Sequence, residues 1–133
     1  MKRLFADTFF FFAYLNAEDD AHEAATRYLD NFNGHLVTTE WVLTELADGM
    51  AGIGDREFLT EFLAALRADS SVTIVPSGTE LFAEGLALYS SRKDKEWTLT
   101  DCISFVVMKR EGLSEALTGD HHYKQAGFKP LLR

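Results

Sequence analysis

Four carboxylates in the sequence occupy positions from which acidic side chains could act together. Asp7 lies in the most apolar stretch of the chain, LFADTFFFFAYLN. Glu45 lies beside an apolar helical stripe, Asp101 near the start of a long apolar segment, and Asp120 in a Gly-Asp turn. A buried charge is costly unless it is paired or coordinated to a metal ion. Asp7 is therefore the hardest of the four to explain as an ordinary surface acid.

One class of chemistry suits such a set of oxygen ligands. Carboxylates that lie close together repel and raise one another's pKa unless a cation lies between them. Ligands of this kind favour Mg²⁺ or Mn²⁺, and a divalent cation can activate a water and stabilise the charge that develops on a phosphodiester. We therefore expect the four acids to form a Mg²⁺ or Mn²⁺ site, provided that the fold brings them together.

Each acid also has an ordinary explanation when it is taken alone. Asp101 fits the partner of a helix N-cap, Asp120 fits a turn residue, and Glu45 fits an acid on a helix surface. The only structural use of Asp7 would be to cap the aromatic helix that follows it. The sequence has no G-x-S-x-G motif, no P-loop and no Cys–His zinc spacing that would favour a different chemistry.

Short apolar strands alternate with helical periods along the chain. This alternation predicts one α/β domain over residues 1–133 with a short-stranded, mostly parallel sheet. Such folds bind ligands beyond the carboxyl ends of their strands, and Asp7 and Asp120 both follow a predicted strand. The predicted strands are Lys2–Ala6, Leu36–Thr38, Val72–Val75, Ala116–Thr118 and Pro130–Leu132.

Helical spacing of apolar residues connects these strands. Asp20-x-x-Glu23 is a predicted helix start, and Ser77-x-x-Glu80 has the pattern of a capping box. Thr98 or Thr100 is expected to cap the late apolar helix, which places Asp101 in its first turn, at the positive end of the helix dipole. The predicted helical segments are Thr8–Leu15, 21–32, 42–50, 58–66, 80–89 and Leu99–Gly112.

The charge balance limits the classes of partner. A net charge of −8 and a pI near 4.9 argue against a sequence-independent DNA-binding protein, whose affinity would come from basic charge. They do not exclude RNA chemistry through metal ions, because a bound cation inverts the local field. Arg92, Lys93 and Lys95 form a local basic cluster that is a candidate for holding substrate phosphates.

The remaining composition points to the cytoplasm. The single cysteine, Cys102, has apolar neighbours and fits a packed side chain in a reducing compartment. Lys2 and Arg3 precede an apolar run as in a signal peptide, but Asp7 interrupts that run and no convincing cleavage site follows. No segment has the length needed to span a membrane. We expect a soluble cytoplasmic protein without a membrane partner.

Four segments follow one another along essentially the whole chain: LFADT, TTEWVLTEL, LTDCISFVVMKREGL and ALTGDHHYKQAGF. Each is weak alone. In this order, and with the T-x-D-x-H-[FY] pattern in the last segment, they resemble PIN-domain ribonucleases, most closely the VapC-type toxins of bacterial and archaeal toxin–antitoxin pairs. The resemblance implies a three-layer α/β/α PIN-like domain and the activity of a Mg²⁺- or Mn²⁺-dependent endoribonuclease.

The resemblance also assigns roles to residues. It carries the four acids to the family's four acidic positions, as catalytic and metal-binding residues, with Glu45 as a ligand or an orienter of water. Thr118 matches the hydroxyl residue that supports the last acid, and Thr8 matches a position often held by Ser or Thr. His122 matches a frequent family position, but its role and that of His121 are left open.

The implied partners are an RNA substrate, a small cognate antitoxin and a second copy of the chain in a homodimer. The run Phe9–Phe12 covers all sides of a helical turn, which is more than contact with one sheet would bury. Two interpretations follow. The helix is either wholly internal, or some of its rings face a second copy or an antitoxin segment.

Two other functions stay open at the level of sequence. A PIN-like scaffold would bind RNA or protein without cutting, although the intact acids argue against it. A receiver-type phospho-signalling domain fits the length and the fold class. However, it would need an acidic pair where Asp7 is followed by Thr8, and a phosphorylatable aspartate where the third strand leads into Pro76 and Ser77.

Overall fold

The computed structural model describes residues 2–132, and the helices and strands of this range alternate as an α/β fold requires. The bounds in chain order are β1 Lys2–Ala6, α1 Thr8–Leu15, α2 His22–Asp30, β2 Gly34–Thr39, α3 Glu40–Gly49, α4 Arg56–Ala68, β3 Val72–Val75, α5 Thr79–Ser91, α6 Leu99–Arg110, β4 Glu115–Leu117, α7 His121–Gln125 and β5 Lys129–Pro130. The predicted fold class is confirmed.

The five strands form one sheet in the order β3-β2-β1-β4-β5, and every pair in it is parallel. Leu4, Phe5 and Ala6 follow one another in β1 and are all fully buried. Because successive side chains of a strand point to opposite faces, this burial means that both faces of the sheet are covered. The helices lie on both sides of the sheet, as the resemblance implies.

The central strand marks the place where a ligand would bind. β2 lies on one side of β1, whereas β4, which the chain reaches only after α6, lies on the other side. The crevice between the carboxyl ends of β1 and β4 is therefore the topological switch point, the usual ligand site of such folds. The backbone amide of Asp7 donates to the carbonyl of Leu117 at 3.3 Å and joins the two strand ends there.

The phenylalanine run of α1 is mostly internal. Phe10 and Phe11 are 1% and 2% exposed, and Phe11 packs edge-on against Phe62 with 6.1 Å between ring centroids. Phe12 is half-buried, with its ring against Gly49 of α3. Only Phe9 exposes a large part of its ring. The interpretation in which the run faces a partner chain therefore fails for Phe10 and Phe11, whose place is the core.

Two predicted helix starts are wrong. α5 begins at Thr79 without a side-chain cap, because the backbone amide and hydroxyl of Ser77 both donate to the carboxylate of Glu40 instead. α2 begins at His22 without a side-chain cap, and the carboxylate of Asp19, rather than that of Asp20, accepts from the backbone amide of Ala21. A contact with a distant residue has therefore replaced the predicted cap at α5, and a neighbouring aspartate has taken the place of Asp20 at α2.

Several smaller predictions are decided by the same structure. Thr98, and not Thr100, caps α6. Cys102 is fully buried, and this burial raises the pKa of its thiol to about 11, as fits a packed side chain. The last strand ends at Pro130, earlier than predicted, although the amides of Leu131 and Leu132 still donate to the β4 side. Within residues 2–132, no helix has the length and apolar character to cross a membrane.

Candidate active site

Asp7 lies directly after β1 and is 5% exposed. Although it occupies the N-cap position of α1, its side chain makes no capping hydrogen bond. The hydroxyl of Thr118, just after β4, donates instead to its Oδ2 at 2.9 Å. The one structural use that the sequence offered for Asp7 is thus absent, and its carboxylate points to the switch point.

The electrostatic setting of Asp7 is unfavourable to a negative charge. Burial and the nearby charge of Asp101 raise the pKa of Asp7 to about 7, against smaller opposing contributions from the hydroxyls of Tyr123 and Thr118. A cation between two such carboxylates would relieve this unfavourable setting.

Asp101 lies in the first turn of α6 and is 6% exposed. Its Oδ2 accepts from the backbone amide of Thr98 at 3.1 Å, and the hydroxyl of Thr98 accepts from the amide of Asp101 at 3.0 Å. Asp101 is therefore the acid of a capping box, and it also lies near Asp7. The capping interpretation is thus confirmed, and because Oδ2 serves the cap while Oδ1 has no hydrogen bond among residues 2–132, the role of Asp101 as a metal ligand stays a prediction that the cap does not oppose.

Asp120 is tied to Asp7 through one hydroxyl group. The backbone amide of Asp120 donates to Oγ1 of Thr118 at 3.0 Å, and the same hydroxyl donates to Asp7. Oδ1 of Asp120 accepts from the amide of His122 at 2.9 Å and so caps α7. The hydroxyl of Thr118 thus forms hydrogen bonds with two acids that lie 113 positions apart in the sequence, as the supporting role expected of it requires.

His122 connects the remaining pair of acids. Its Nδ1 lies 3.0 Å from Oδ2 of Asp101 and 3.4 Å from Oδ1 of Asp120, and its side chain is 17% exposed. Burial raises the pKa of Asp101, and the hydrogen bond from His122 opposes that increase. Sequence reasoning left the role of His122 open. The sequence feature that could have indicated this contact is the position of His122 two residues after Asp120, in the first turn of α7.

Three buried hydroxyl groups around these acids lack an ordinary partner. Among residues 2–132, Oγ1 of Thr8, Oγ of Ser104 and the phenol of Tyr123 are buried without a hydrogen bond of normal geometry. Burial, together with the charges of Asp7 and Asp101, raises the pKa of Tyr123 well above its usual range. The Tyr123 hydroxyl therefore lies in the field of the same carboxylates.

Glu45 is not part of this network. It lies on α3, is exposed, and its side chain forms no hydrogen bond or ion pair within residues 2–132. Its helix does pack against α1 and α6, which carry Asp7 and Asp101 at their starts. The structure brings three of the four predicted acids together, and the catalytic and metal-binding roles of all four stay predictions.

The basic cluster proposed for phosphates has a partner of its own. Arg92 makes a bidentate pair with Asp94, with both distances 3.0 Å, and its guanidinium lies 4.9 Å from the ring centroid of Trp97. Lys95 lies 3.9 Å from the same carboxylate. A single carboxylate therefore engages two of the three cations of this cluster.

The oxygen donors fit a hard divalent cation. Asp7, Asp101 and Asp120 supply carboxylates of which two are buried, and Oδ2 of Asp120 has no hydrogen bond among the described residues. One oxygen of each acid is held by the protein, which orients the group. A second grouping, formed by Asp120, His121 and His122, has potential ligand atoms within 4.8 Å of one another. It shares Asp120 with the first.

Comparison with known proteins identifies the family and the fold of the chain. The sequence matches the PIN domain family over residues 4–129. VapC20 of Mycobacterium tuberculosis, a Sarcin-Ricin loop cleaving toxin, has a TM-score of 0.83 and 26% identity, over 94% of this chain and 95% of that chain. FitAcB from Neisseria gonorrhoeae has a TM-score of 0.70 and 19% identity, over 96% and 94%, and supports the fold alone. No curated protein matches the sequence.

Proposed function

Because the chain belongs to the PIN domain family, a family of nucleases, we propose that it is a Mg²⁺- or Mn²⁺-dependent endoribonuclease and the toxin of a type II toxin–antitoxin pair. The observation that carries this proposal is the network of Asp7, Thr118, Asp120, His122 and Asp101 at the β1–β4 switch point. The similarity to VapC20 supports the toxin assignment.

The acids have distinct parts in the proposed reaction. Asp7, Asp101 and Asp120 would hold the cation, which would supply an activated water and stabilise charge on the phosphodiester. Glu45, on the neighbouring helix α3, would bind the cation or orient the water. Asp7 must be ionised to act as a ligand, and the hydrogen bond from Thr118 favours its ionised form. Metal binding and loss of that proton are therefore linked.

The proposed macromolecular partners are RNA, a cognate antitoxin and a second copy of the chain, all in the cytoplasm. A homodimer would use α5 rather than α1. Phe82, Leu86 and Tyr89 lie at i, i+4 and i+7 spacing on that helix and are 42%, 44% and 49% exposed. Leu86→Glu should shift the protein toward monomer in sedimentation, and an unchanged mass would remove α5 from the interface.

RNA cleavage with defined metals tests the proposed activity. The wild-type chain should cut structured RNAs in Mg²⁺ or Mn²⁺ and stop in EDTA. Asp101→Asn should lower the rate by more than about 100-fold, since even residues that only support metal ligands cost about 10- to 100-fold. Asp30→Asn is the matched control, because Asp30 is an exposed acid at the end of α2. Folded wild-type protein that cuts no RNA with either metal would favour the non-catalytic scaffold.

A further inference from the structure

The chain has a second group of features around the acids that the proposed reaction does not use. We propose that two RNA subsites flank the loop 118–121: a base-stacking surface formed by Phe9, and a phosphate pocket formed by His121, Lys124 and Lys129. This inference rests on the proposed function and assigns contacts with the RNA to residues outside the acids.

The phosphate pocket is a cavity of about 460 Å³ between α7 and β5. Its lining consists of His121, Lys124, Phe128, Lys129 and Pro130. Nδ1 of His121 lies 3.8 Å from Oδ1 of the neighbouring Asp120, so the pocket begins next to the acids. A phosphate held there would belong to a nucleotide close to the one that is cut.

The positive charge of this pocket is available to a ligand. Lys124 is exposed, and its ammonium group forms no ion pair among residues 2–132. The Lys129 side chain is 72% exposed, and its nearest carboxylate, that of Glu115, lies 3.9 Å away. Arg92, by contrast, is held by two hydrogen bonds to an aspartate. In a chain with a net charge of −8, Lys124 is therefore the principal phosphate ligand of this pocket, and Lys129 adds a cation that shares its charge with Glu115.

The stacking surface is the ring of Phe9, in the first turn of α1. It is 37% exposed, whereas its neighbours Phe10 and Phe11 are in the core. The ring lies directly on Gly119. A Cβ at that position would come within 2.5 Å of the Phe9 Cζ. The absence of a side chain at 119 therefore allows an aromatic ring to lie on the loop that carries Asp120.

The chemistry of RNA explains why these two surfaces belong together. A phosphate next to a cleavage site needs a cation, and the base beside it needs a surface when it is not paired. Stacking of unpaired bases on aromatic rings is tolerant of sequence, and proteins recognise RNA mainly at loops whose bases can leave the stack. A base within a duplex is already stacked and has no free face for Phe9.

The two subsites predict different signatures in one binding experiment. The probe is a fluorescein-labelled, unpaired 12-nucleotide RNA, titrated in EDTA at several salt concentrations and checked for integrity on a gel. Phe9→Leu keeps an apolar side chain on Gly119, and should raise Kd by about 5- to 100-fold without a change in salt dependence. Phe9→Trp should bind as well as wild type. Annealing the probe to its complement should remove the difference between Phe9→Leu and wild type.

The lysine variant should change the salt dependence instead. Lys124→Ala should reduce the slope of log K against log salt by about 0.7, the value for one phosphate contact on a single strand. Lys109→Ala is the matched control, because Lys109 is exposed in the last turn of α6, whereas the acids lie at its first turn. It should leave the slope unchanged.

Each subsite is tested by a separate variant. Phe9→Leu with the affinity of wild type would overturn the stacking surface, and a slope for Lys124→Ala equal to that of Lys109→Ala would overturn the phosphate pocket. Thermal melting of every variant confirms the fold. Wild-type protein that binds the probe as described but never cuts RNA in Mg²⁺ or Mn²⁺ would overturn the proposed function and leave both subsites in place.

Discussion

Asp7 and Asp94 are the same residue type in opposite settings. Asp7 is buried at the switch point beside another carboxylate, and its pKa is raised to about 7. Asp94 is exposed, and the side-chain hydrogen bonds from Arg92 lower its pKa to about 2. The first acid lacks a cation and the second already has one. The difference shows that the protein balances the charge of Asp94 itself and leaves that of Asp7 unbalanced, as the proposed metal site requires.

The largest expected effect concerns the stability of the metal-free protein. Since the folded-state pKa of Asp7 is raised, its contribution to stability is full below about pH 4 and is lost as the pH rises through about 7. Asp7→Asn removes this penalty and should stabilise the protein at pH 8, by up to about 4 kcal/mol, since one pKa unit corresponds to about 1.4 kcal/mol.

Urea unfolding in EDTA at pH 4 and pH 8 measures this effect. The difference between Asp7→Asn and wild type should be larger at pH 8 than at pH 4. Asp94→Asn provides the control in the same experiment. If the free energy of unfolding of Asp7→Asn exceeds that of wild type by the same amount at pH 4 and at pH 8, ionisation of Asp7 does not destabilise the folded protein.

The second effect concerns the hydroxyl that joins two of the acids. Thr118→Val keeps the shape of the side chain but removes both hydrogen bonds to Asp7 and Asp120. The rate of RNA cleavage should fall by about 10- to 100-fold, as for other groups that support metal ligands. Thr118→Ser should recover most of the rate. A valine variant as active as wild type would show that the acids need no such support.

A smaller effect is expected at the start of α6. Thr98→Ala removes one half of the capping box that holds Asp101, and should lower the free energy of unfolding by about 1 kcal/mol. Ser77→Ala is the matched variant, because the same sequence pattern forms no cap at α5. Chemical denaturation compares the two. An equal loss from both would contradict the assignment of a true capping box at Thr98 alone.

The smallest effect belongs to Asp94. Because its carboxylate is exposed and already paired, Asp94→Asn should leave both the cleavage rate and metal binding within about twofold of wild type, as for most surface ion pairs. Kinetic assays in Mg²⁺ and Mn²⁺ measure the rate. A large loss of activity would instead support the prediction that the basic cluster around Arg92 contacts the substrate.

The sequence was sufficient for the features that depend on periodicity and strand order. α1 and α6 are apolar on almost every side, and the burial of most of their apolar side chains follows directly from that pattern. Asp7 and Asp120 were expected to lie close together because both follow strands that end at the same edge of a parallel sheet, and the structure links them through Thr118. The position of Asp101 in the first turn of α6 was predicted as well, although the oxygen that its cap uses depends on atomic geometry.

Features that depend on contacts between distant residues could not be predicted in this way. Ser77 has the pattern of a cap, but it donates to Glu40, which lies 37 positions earlier. His122 faces Asp101 only after α6 and α7 pack together. Which of the four phenylalanines stays at the surface is decided by the contact of Phe9 with Gly119, a choice that the run of identical residues does not encode.

Calorimetric titration of Mn²⁺ into the metal-free protein at pH 7 tests the central claim most directly. The wild-type chain should bind the cation and release protons, because ionisation of Asp7 is required. Asp7→Asn should bind more weakly and release fewer protons, while Asp94→Asn should match the wild type. Equal binding by all three proteins would contradict the assignment of the buried acids as metal ligands.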